Sequence, residues 1–203
     1  RDLHLSIRRQ RQMCIRDRPI TEKGNPQEDK ALLKGLKTNE KNSPNLELMK
    51  RFGYLIASSD PIESRQFFSD YMNLDQTISY AVVDRAIRND DGAFHWYTDR
   101  KTSSNHNYYW YEEPIKKKIH IIPWDLDNAF ENITGENPIT YIPDRWGEIS
   151  NNCDPFPYGV WEVYQRSASC DKIIKVWSSY LEEYKTLQNK LADSYVDLSL
   201  IHI

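Results

Sequence analysis

Cysteine is scarce in this chain of 203 residues, which contains only 3. One of them, Cys14, lies in a basic N-terminal segment, which leaves Cys153 and Cys170. The sequence has no CxxC motif and no Cys/His spacing typical of zinc, and this argues against a zinc site. The two remaining cysteines could form a disulfide in an extracellular protein or stay as buried thiols in a cell, and the sequence leaves both open.

Glycine and long apolar runs are also lacking. The 7 glycines are isolated, and no Gly-rich loop of the kind that holds nucleotide phosphates is present. No apolar run approaches the roughly 20 residues that a transmembrane helix needs. The histidines His95, His106 and His120 are too dispersed to indicate a metal site. Composition therefore predicts one globular domain without a membrane span.

Both ends of the chain resemble translated sequencing adapter. Residues 1–4 and 8–18 match the translation of adapter and transposase-end sequences, and residues 198–203 match the same transposase end read in reverse. We therefore expect residues 1–18 and 198–203 to be artefacts, as in a metagenomic fragment whose gene is truncated at both ends. A signal peptide would not be visible in such a fragment.

The segment between these ends is acidic. The whole chain has a net charge of −3, and leaving out the six Arg and two Asp of residues 1–18 brings the charge to −7. A charge of this sign argues against nucleic acid and against an anionic membrane as partners. An enzyme or a protein-binding module remains.

Helical periodicity in some segments and strand-like runs in others predict an α+β fold. Residues 19–42 are polar and Lys-rich and should form a connection with at most one short helix. Ser43 followed by Pro suits a helix start, and a second helix is expected near residues 63–71. Asn73 and Gln76 resemble a capping box for a third helix.

The third helix is expected to end at Gly92, where glycine would permit a left-handed turn. Two aromatic and β-branched runs, residues 107–111 and 118–122, then predict a β-hairpin. Residues 132–157 are rich in turn-forming residues and should be mostly loop. Asp171 is expected to cap one long amphipathic helix.

Two carboxylates follow the second hairpin strand directly. Asp125 and Asp127 come just after an apolar run, where folding alone explains them poorly because an unpaired buried carboxylate is expensive. Mg²⁺ is typically held by one or two carboxylates together with substrate phosphates, so a divalent cation would explain the pattern. A lone Asp-x-Asp is also typical of a turn or a helix cap, and these two residues alone do not decide between the readings.

The hairpin brings further polar groups to these acids. An antiparallel pair places the start of its first strand beside the end of its second, so His106 and Asn107 should lie close to Asp125. Upstream, Asp90 and Asp91 stand at the end of the third helix, and the chain leads from there into the hairpin. Protein kinases have the same order of acid, amide, hairpin and second acid.

With these motifs the sequence resembles the spore-coat-protein-H (CotH) kinase family of atypical, secreted or surface protein kinases. The matching segments are Asn89-Asp-Asp-Gly92, His106-Asn-Tyr-Tyr-Trp-Tyr111 and Ile122-Pro-Trp-Asp-Leu-Asp-Asn-Ala-Phe130. The resemblance implies that residues 43–197 are part of a kinase-like domain, mainly the helical C-terminal lobe with the hairpin leading into a metal-binding loop. It also implies Mg²⁺-dependent transfer of the ATP γ-phosphoryl group to Ser or Thr of a coat or surface protein.

The resemblance assigns roles residue by residue. Asp91 corresponds to the catalytic base, with Asp90 as the alternative. Asn107 and Asp125 correspond to ligands of the metal and hence of the nucleotide. Asp127 corresponds to a second ligand or to a residue that supports the first.

Two departures from the family pattern limit what this chain is expected to do. Residues 93–104, between Asp91 and Asn107, form a longer connection than the compact kinase loop. The family's N-terminal lobe, with its phosphate-contacting basic residues, is mostly absent. We therefore expect this fragment to bind nucleotide weakly and to transfer phosphate poorly.

Two other functions fit parts of the pattern. A non-catalytic CotH-like module for coat assembly or adhesion would keep the fold without the chemistry. A metal-dependent glycosyltransferase would use the Asp-x-Asp, but that class places it in an α/β domain with alternating strands, which the hairpin argues against. The family resemblance implies an extracellular, cell-surface or spore-coat location. The substrate protein and the oligomeric state stay open.

Overall fold

The computed structural model of the protein describes residues 13–15, 18–37, 44–89, 91–98, 103–113, 115–130, 150, 152–158 and 163–196. It is a mixed α+β fold, as predicted. The helices are α1 (Asp29–Gly35), α2 (Glu47–Ser58), α3 (Pro61–Tyr71), α4 (Leu74–Ala86), α5 (Lys172–Trp177) and α6 (Leu181–Leu191). The strands are β1 (Met13–Ile15), β2 (Trp96–Thr98), β3 (Ser103–Ser104), β4 (Tyr108–Glu113), β5 (Lys118–Pro123), β6 (Phe156–Tyr158) and β7 (Val163–Arg166).

The strands form two antiparallel sheets. The first has the order β1-β4-β5, and the second has the order β3-β2-β7-β6. The predicted hairpin is confirmed as β4 and β5, which pair from Tyr108 opposite Pro123 to Glu113 opposite Lys118. The second sheet was not predicted, because its strands have only two to four residues and carry no readable alternation. Of the predicted loop at residues 132–157, only the end lies in the described part of the chain, and β6 begins there.

The start of α4 is held by a local helix cap and by hydrogen bonds to β5. Asn73 caps the helix as predicted, since its side chain accepts a hydrogen bond from the Gln76 N–H at 3.2 Å. The reciprocal half of the capping box is replaced by contacts with β5. The Gln76 side-chain amide bonds the backbone of Ile121, and the Asn73 N–H donates to the carbonyl oxygen of Ile119 at 2.8 Å. These bonds fasten α4 to the hairpin.

The C-terminal helix is interrupted, which differs from the single helix expected. Asp171 caps α5 as predicted, since its Oδ1 accepts hydrogen bonds from the N–H groups of the second and third helical residues at 3.0 Å. A 3₁₀ turn at Ser178–Tyr180 then separates α5 from α6. The hydroxyls of Ser178 and Ser179 donate to backbone carbonyls three residues back, both at 2.6 Å, and such bonds compete with the regular helical pattern.

One core lies between the helices and the first sheet. Phe52 of α2 contacts Trp110 of β4, and Phe68 of α3 contacts Trp177 of α5, with ring centroids 6.5 and 5.9 Å apart. All four rings are buried. Each buried aromatic ring contributes 150–250 Å² of buried surface on average, so these rings dominate the hydrophobic stabilisation.

The polar segment after residue 18 packs on the same core. Leu32 and Leu36, in and after α1, are buried. Gly53 of α2 allows a close approach here, because a Cβ at that position would lie 2.1 Å from the carbonyl oxygen of Pro19. Arg18 forms an ion pair with Asp171 at 2.5 Å. The domain boundary at residue 42 and the adapter origin of the two ends stay predictions.

Cys153 and Cys170 form a disulfide, with their Cα atoms 5.8 Å apart. The bond links the segment before β6 to the 3₁₀ turn before α5. In the described part of the chain, no helix is long and apolar enough to cross a membrane.

Candidate active site

Asp91 is the centre of a cluster of polar side chains that follows α4. Its Oδ2 accepts hydrogen bonds from Nδ2 of Asn107 at 2.7 Å and from Nδ2 of Asn128 at 3.3 Å. Its Oδ1 contacts Nε2 of His106. The Asp91 side chain is 16% exposed, so the carboxylate is held in place and can still be reached by a substrate group.

Asn107 connects Asp91 to the second acidic loop. Its φ is +60°, a left-handed conformation that Asn adopts more readily than most residues. Its carbonyl oxygen accepts the N–H of Trp124 at 3.1 Å, directly before Asp125. The predicted proximity of Asn107 to this loop is therefore confirmed for the backbone. Because the amide nitrogen of Asn107 donates to Asp91, its amide oxygen is the atom that could bind a cation.

Asp125 and Asp127 are exposed on the loop after β5. Asp125 has a φ of +55°, which turns the chain sharply out of the strand. Five residues further on, the N–H of Phe130 donates to the carbonyl oxygen of Ile87 at 2.8 Å. This bond ties the acidic loop to the end of α4, close in sequence to Asp91.

The donor atoms of the two loops are all oxygens, which suits a hard divalent cation. They are the carboxylates of Asp125 and Asp127 and the amide oxygen of Asn107. Among the described residues, no group of three or more His, Cys, Asp or Glu side chains could hold a metal ion. Mg²⁺ typically completes its ligands with water and substrate phosphates, and the metal roles of these three residues stay predictions.

The two candidate bases fare differently. Asp91 is the acid that lies against Asn107. Asp90, the alternative, lies outside the described residues. The role of base for Asp91 stays a prediction.

Asn128 belongs to the cluster, although sequence analysis gave it no role. It follows Asp127 directly, and its side chain reaches back to the carboxylate of Asp91. The sequence feature that could have indicated Asn128 is an amide residue directly after the Asp-x-Asp motif. Its partner could not be inferred, because the contact depends on how the acidic loop folds back towards α4.

A buried network behind Asp91 was also missed. The Asn89 side chain accepts the N–H of Asp91 at 3.3 Å and donates to Oδ1 of Asp84 at 2.7 Å. The predicted left-handed turn at Gly92 is wrong, and the left-handed residue is Arg88, with a φ of +52°. Glycine at position 92 instead permits close packing, since a Cβ there would lie 2.6 Å from Nδ2 of Asn89 and 2.9 Å from Oδ1 of Asp84.

Hydrogen bonds of the Asn105 side chain hold the chain just beyond Asp91. Asn105 donates from Nδ2 to the carbonyl oxygen of Ala93 at 2.7 Å and accepts a hydrogen bond from the Tyr108 hydroxyl at 2.9 Å. Burial raises the pKa of Tyr108 to about 12, with the nearby Arg18 guanidinium opposing the rise. The hydroxyl is therefore a stable hydrogen-bond donor at physiological pH.

A cavity of about 770 Å³ opens beside the cluster. Its lining includes His106, Asn107 and Trp124, and Lys34 and Lys37 contribute positive charge from α1 and the residues after it. Its size is in the range of small-molecule sites. The cavity combines cationic groups, aromatic surface and an edge of the polar cluster.

The chain has an α+β fold in which an acid, an amide and an acidic loop follow one another in sequence, an order that protein kinases share. The CotH kinase protein family model matches residues 14–199, and the chain belongs to that family. Kinases use ATP and a divalent metal in general. Neither the curated proteins nor the solved structures contain a match to the chain.

Proposed function

We propose that the chain carries the catalytic centre of a CotH-type protein kinase that transfers the ATP γ-phosphoryl group to Ser or Thr of a coat or surface protein. The observation that carries this proposal is the position of Asn107. Its side chain donates to Asp91, and its backbone carbonyl accepts the N–H of Trp124, the residue before Asp125. Phosphoryl transfer depends mainly on positioning and electrostatic stabilisation, which such a connected site can supply.

In this proposal Asp91 accepts the proton of the substrate hydroxyl, and Asp90 is the alternative base. The contacts from Asn107, Asn128 and His106 orient the Asp91 carboxylate. A general base must lie within hydrogen-bond reach of the proton that it removes, and a carboxylate with a fixed orientation meets that need.

The metal side of the proposal uses oxygen donors only. Asp125 would be the principal Mg²⁺ ligand, Asn107 would bind through its amide oxygen, and Asp127 would bind directly or support Asp125. A bound Mg²⁺ would neutralise charge on the transferred phosphate. The protein's own contribution is to hold the strand end and the loop together through the Asn107–Trp124 backbone bond.

The adjacent cavity is the proposed place for the nucleotide. Lys34 and Lys37 offer cations for phosphates, and Trp124 offers an aromatic surface. The sequence has no Gly-rich phosphate loop, so we propose that this chain binds MgATP weakly. Calorimetric titration should then give a Kd weaker than micromolar, and a micromolar value would contradict this part of the proposal.

We propose an extracellular, cell-surface or spore-coat location. The disulfide between Cys153 and Cys170 supports an oxidising compartment, because such bonds are rare in cytosolic proteins. A thiol titration of protein purified from its native cells would test this, since free thiols at both positions would count against it.

Labelled phosphate tests the kinase activity. The full-length parent protein would be incubated with γ-labelled ATP, Mg²⁺ and Ser/Thr-containing coat or surface protein, and wild type would be compared with Asp125→Ala. Asp193→Ala removes another exposed carboxylate and is the matched control. Strong labelling by wild type and the control, with loss in Asp125→Ala, is expected. No labelling by the wild type would favour the non-catalytic binding module, and equal labelling by all three would contradict the role of Asp125.

A further inference from the structure

A buried ion pair lies at the end of α4. The Arg85 and Asp84 side chains are only 5% and 1% exposed, and Nη2 of Arg85 lies 2.5 Å from Oδ2 of Asp84. Nε of Arg85 contacts the same oxygen at 3.1 Å. The guanidinium also lies over the ring of Phe94, 5.1 Å from its centroid.

Stability alone explains this pair poorly. Removing two charges from water costs several kcal/mol per ion, and a pair of apolar residues is often as stable or more so. Arg85 and Asp84 are neighbours in the last turn of α4, and the other buried residues of this helix carry no charge. A residue pair of this kind is better explained by what its hydrogen bonds hold in place.

The hydrogen bonds of the pair lead directly to Asp91. Nη2 of Arg85 donates to the carbonyl oxygen of Asn89 at 2.7 Å, and Oδ1 of Asp84 accepts from Nδ2 of Asn89 at 2.7 Å. Asn89 is thus held at its backbone and at its side chain. Its remaining side-chain atom, Oδ1, accepts the N–H of Asp91. The absence of a Cβ at Gly92 lets these groups pack together.

The other end of the guanidinium holds the chain beyond Asp91. Nη1 of Arg85 lies 3.0 Å from Nε2 of His95. Because a guanidinium can only donate, this imidazole nitrogen accepts, and Nδ1 of His95 carries the proton that goes to Oε1 of Gln165 on β7 at 3.2 Å. Arg85 therefore contacts the chain on both sides of Asp91 and links it to the second sheet.

We propose that Arg85 is a positioning residue for the catalytic base: through Asp84, Asn89 and His95 it sets the backbone around Asp91 and so aims its carboxylate. This inference rests on the proposed kinase function. A misplacement of about 1 Å can lower a rate about 10²-fold. Loss of the fork of directed hydrogen bonds that the Arg85 guanidinium makes should therefore affect turnover more than nucleotide binding.

Arg85→Lys tests the fork, because lysine keeps the charge but cannot make the same set of directed bonds. Arg65→Lys is the matched control, since Arg65 also pairs with a carboxylate, Glu183, and lies over an aromatic ring, Tyr180. The first readout is amide hydrogen exchange of residues 89–95 in this chain. We expect exchange roughly tenfold faster in Arg85→Lys and unchanged in the control. Unchanged exchange in Arg85→Lys would overturn the inference.

The second readout is steady-state kinetics of the parent protein. Arg85→Lys should lower kcat by about 10- to 100-fold and leave KM for ATP within about threefold of wild type. Faster exchange with unchanged kcat would show that the loop is held but that the base does not depend on it, which also overturns the inference. If the wild type transfers no phosphate, the proposed function fails, and the exchange measurement alone decides whether Arg85 holds the loop.

Exchanging the side chains of Asp84 and Asn89 distinguishes loss of this network from a general loss of folding. Asp84→Asn and Asn89→Asp should each disturb the network, whereas the double variant restores one carboxylate and one amide in exchanged places. The double variant should recover part of the exchange protection and of the kcat lost in the worse single variant, as expected for residues in one network. A double variant as impaired as the worse single variant would count against the proposal.

Discussion

Asp91 and Asp125 are the two principal acids of the candidate site, and their surroundings differ. Asp91 accepts bonds from two amides, and its backbone N–H is bound by the buried Asn89. Asp125 is exposed and sits at a left-handed position on a surface loop. One acid is built into the fold, and the other stands at its edge.

The difference fits the two jobs proposed for these acids. A base must be aimed before the substrate arrives, because it gains its effect from fixed geometry. A cation ligand can be exposed, because the cation and the phosphates order the loop when they bind. Variants should therefore separate the two regions: those behind Asp91 should change stability or turnover, and those in the Asp125 loop should change metal and nucleotide binding.

The largest effect on stability is expected behind Asp91. Asp84→Ala leaves the buried Arg85 guanidinium without its carboxylate and should lower the free energy of unfolding by about 3–5 kcal/mol. Asp127→Ala removes an exposed carboxylate and should change it by less than about 0.5 kcal/mol. Urea denaturation of the two variants measures the contrast. Similar losses in both would remove the distinction between the regions.

The largest effect on activity is expected at Asp91 itself. Asp91→Asn keeps the shape but removes the proton acceptor, so kcat of the parent protein should fall by about 10²–10⁴-fold. Its MgATP affinity should stay the same. Asp125→Asn tolerates the left-handed backbone and should show weaker Mg²⁺-dependent nucleotide binding instead. If both variants lose binding equally, the division of roles is wrong.

Sequence patterns predicted the parts of this site that depend on local structure. The hairpin could be predicted from two aromatic and β-branched runs, and its geometry places Asn107 beside the loop of Asp125. The caps at Asn73 and Asp171 also follow from neighbouring residues.

The remaining contacts depend on distant segments, and sequence reasoning missed them. Asn128 reaches Asp91 only because its loop folds back to α4, and the buried Arg85 side chain contacts His95, which lies ten residues further along the chain. The prediction that Gly92 forms a left-handed turn was wrong for the same reason. Its smallness serves the packing of Asn89 against Asp84, which no local pattern records.

Gly92→Ala tests the region behind Asp91 with a moderate expected loss of stability. The added methyl would lie 2.6 Å from Nδ2 of Asn89, so the variant should lose about 1–3 kcal/mol of stability and also lose turnover. Gly24→Ala is the matched control, because Gly24 has a φ of +78° and lies far along the chain. It should lose about 1 kcal/mol through backbone strain and keep its kcat. Equal loss of kcat in both variants would mean that general destabilisation explains the effect.

Glu112 offers the smallest effect and a contrast to Asp84, because it is buried in the first sheet and pairs with no basic side chain in the described part of the chain. Burial raises its pKa to about 7 from the ordinary 4.5, and hydrogen bonds from the N–H groups of Leu48 and Met49 at the start of α2 oppose the rise. The folded state therefore binds this proton more tightly than the unfolded state. The resulting stability is fully present below about pH 4.5 and is lost as the pH rises through about 7.

Glu112→Gln should remove this dependence. Between pH 5 and 8 the free energy of unfolding of the wild type should fall by roughly 1–2 kcal/mol relative to the variant. Glu28→Gln, an exposed position before α1, is the control and should follow the wild type. Parallel plots of unfolding free energy against pH for wild type and Glu112→Gln would contradict this prediction. They would mean that the hydrogen bonds from the start of α2 stabilise the buried Glu112 carboxylate as well as Arg85 stabilises that of Asp84.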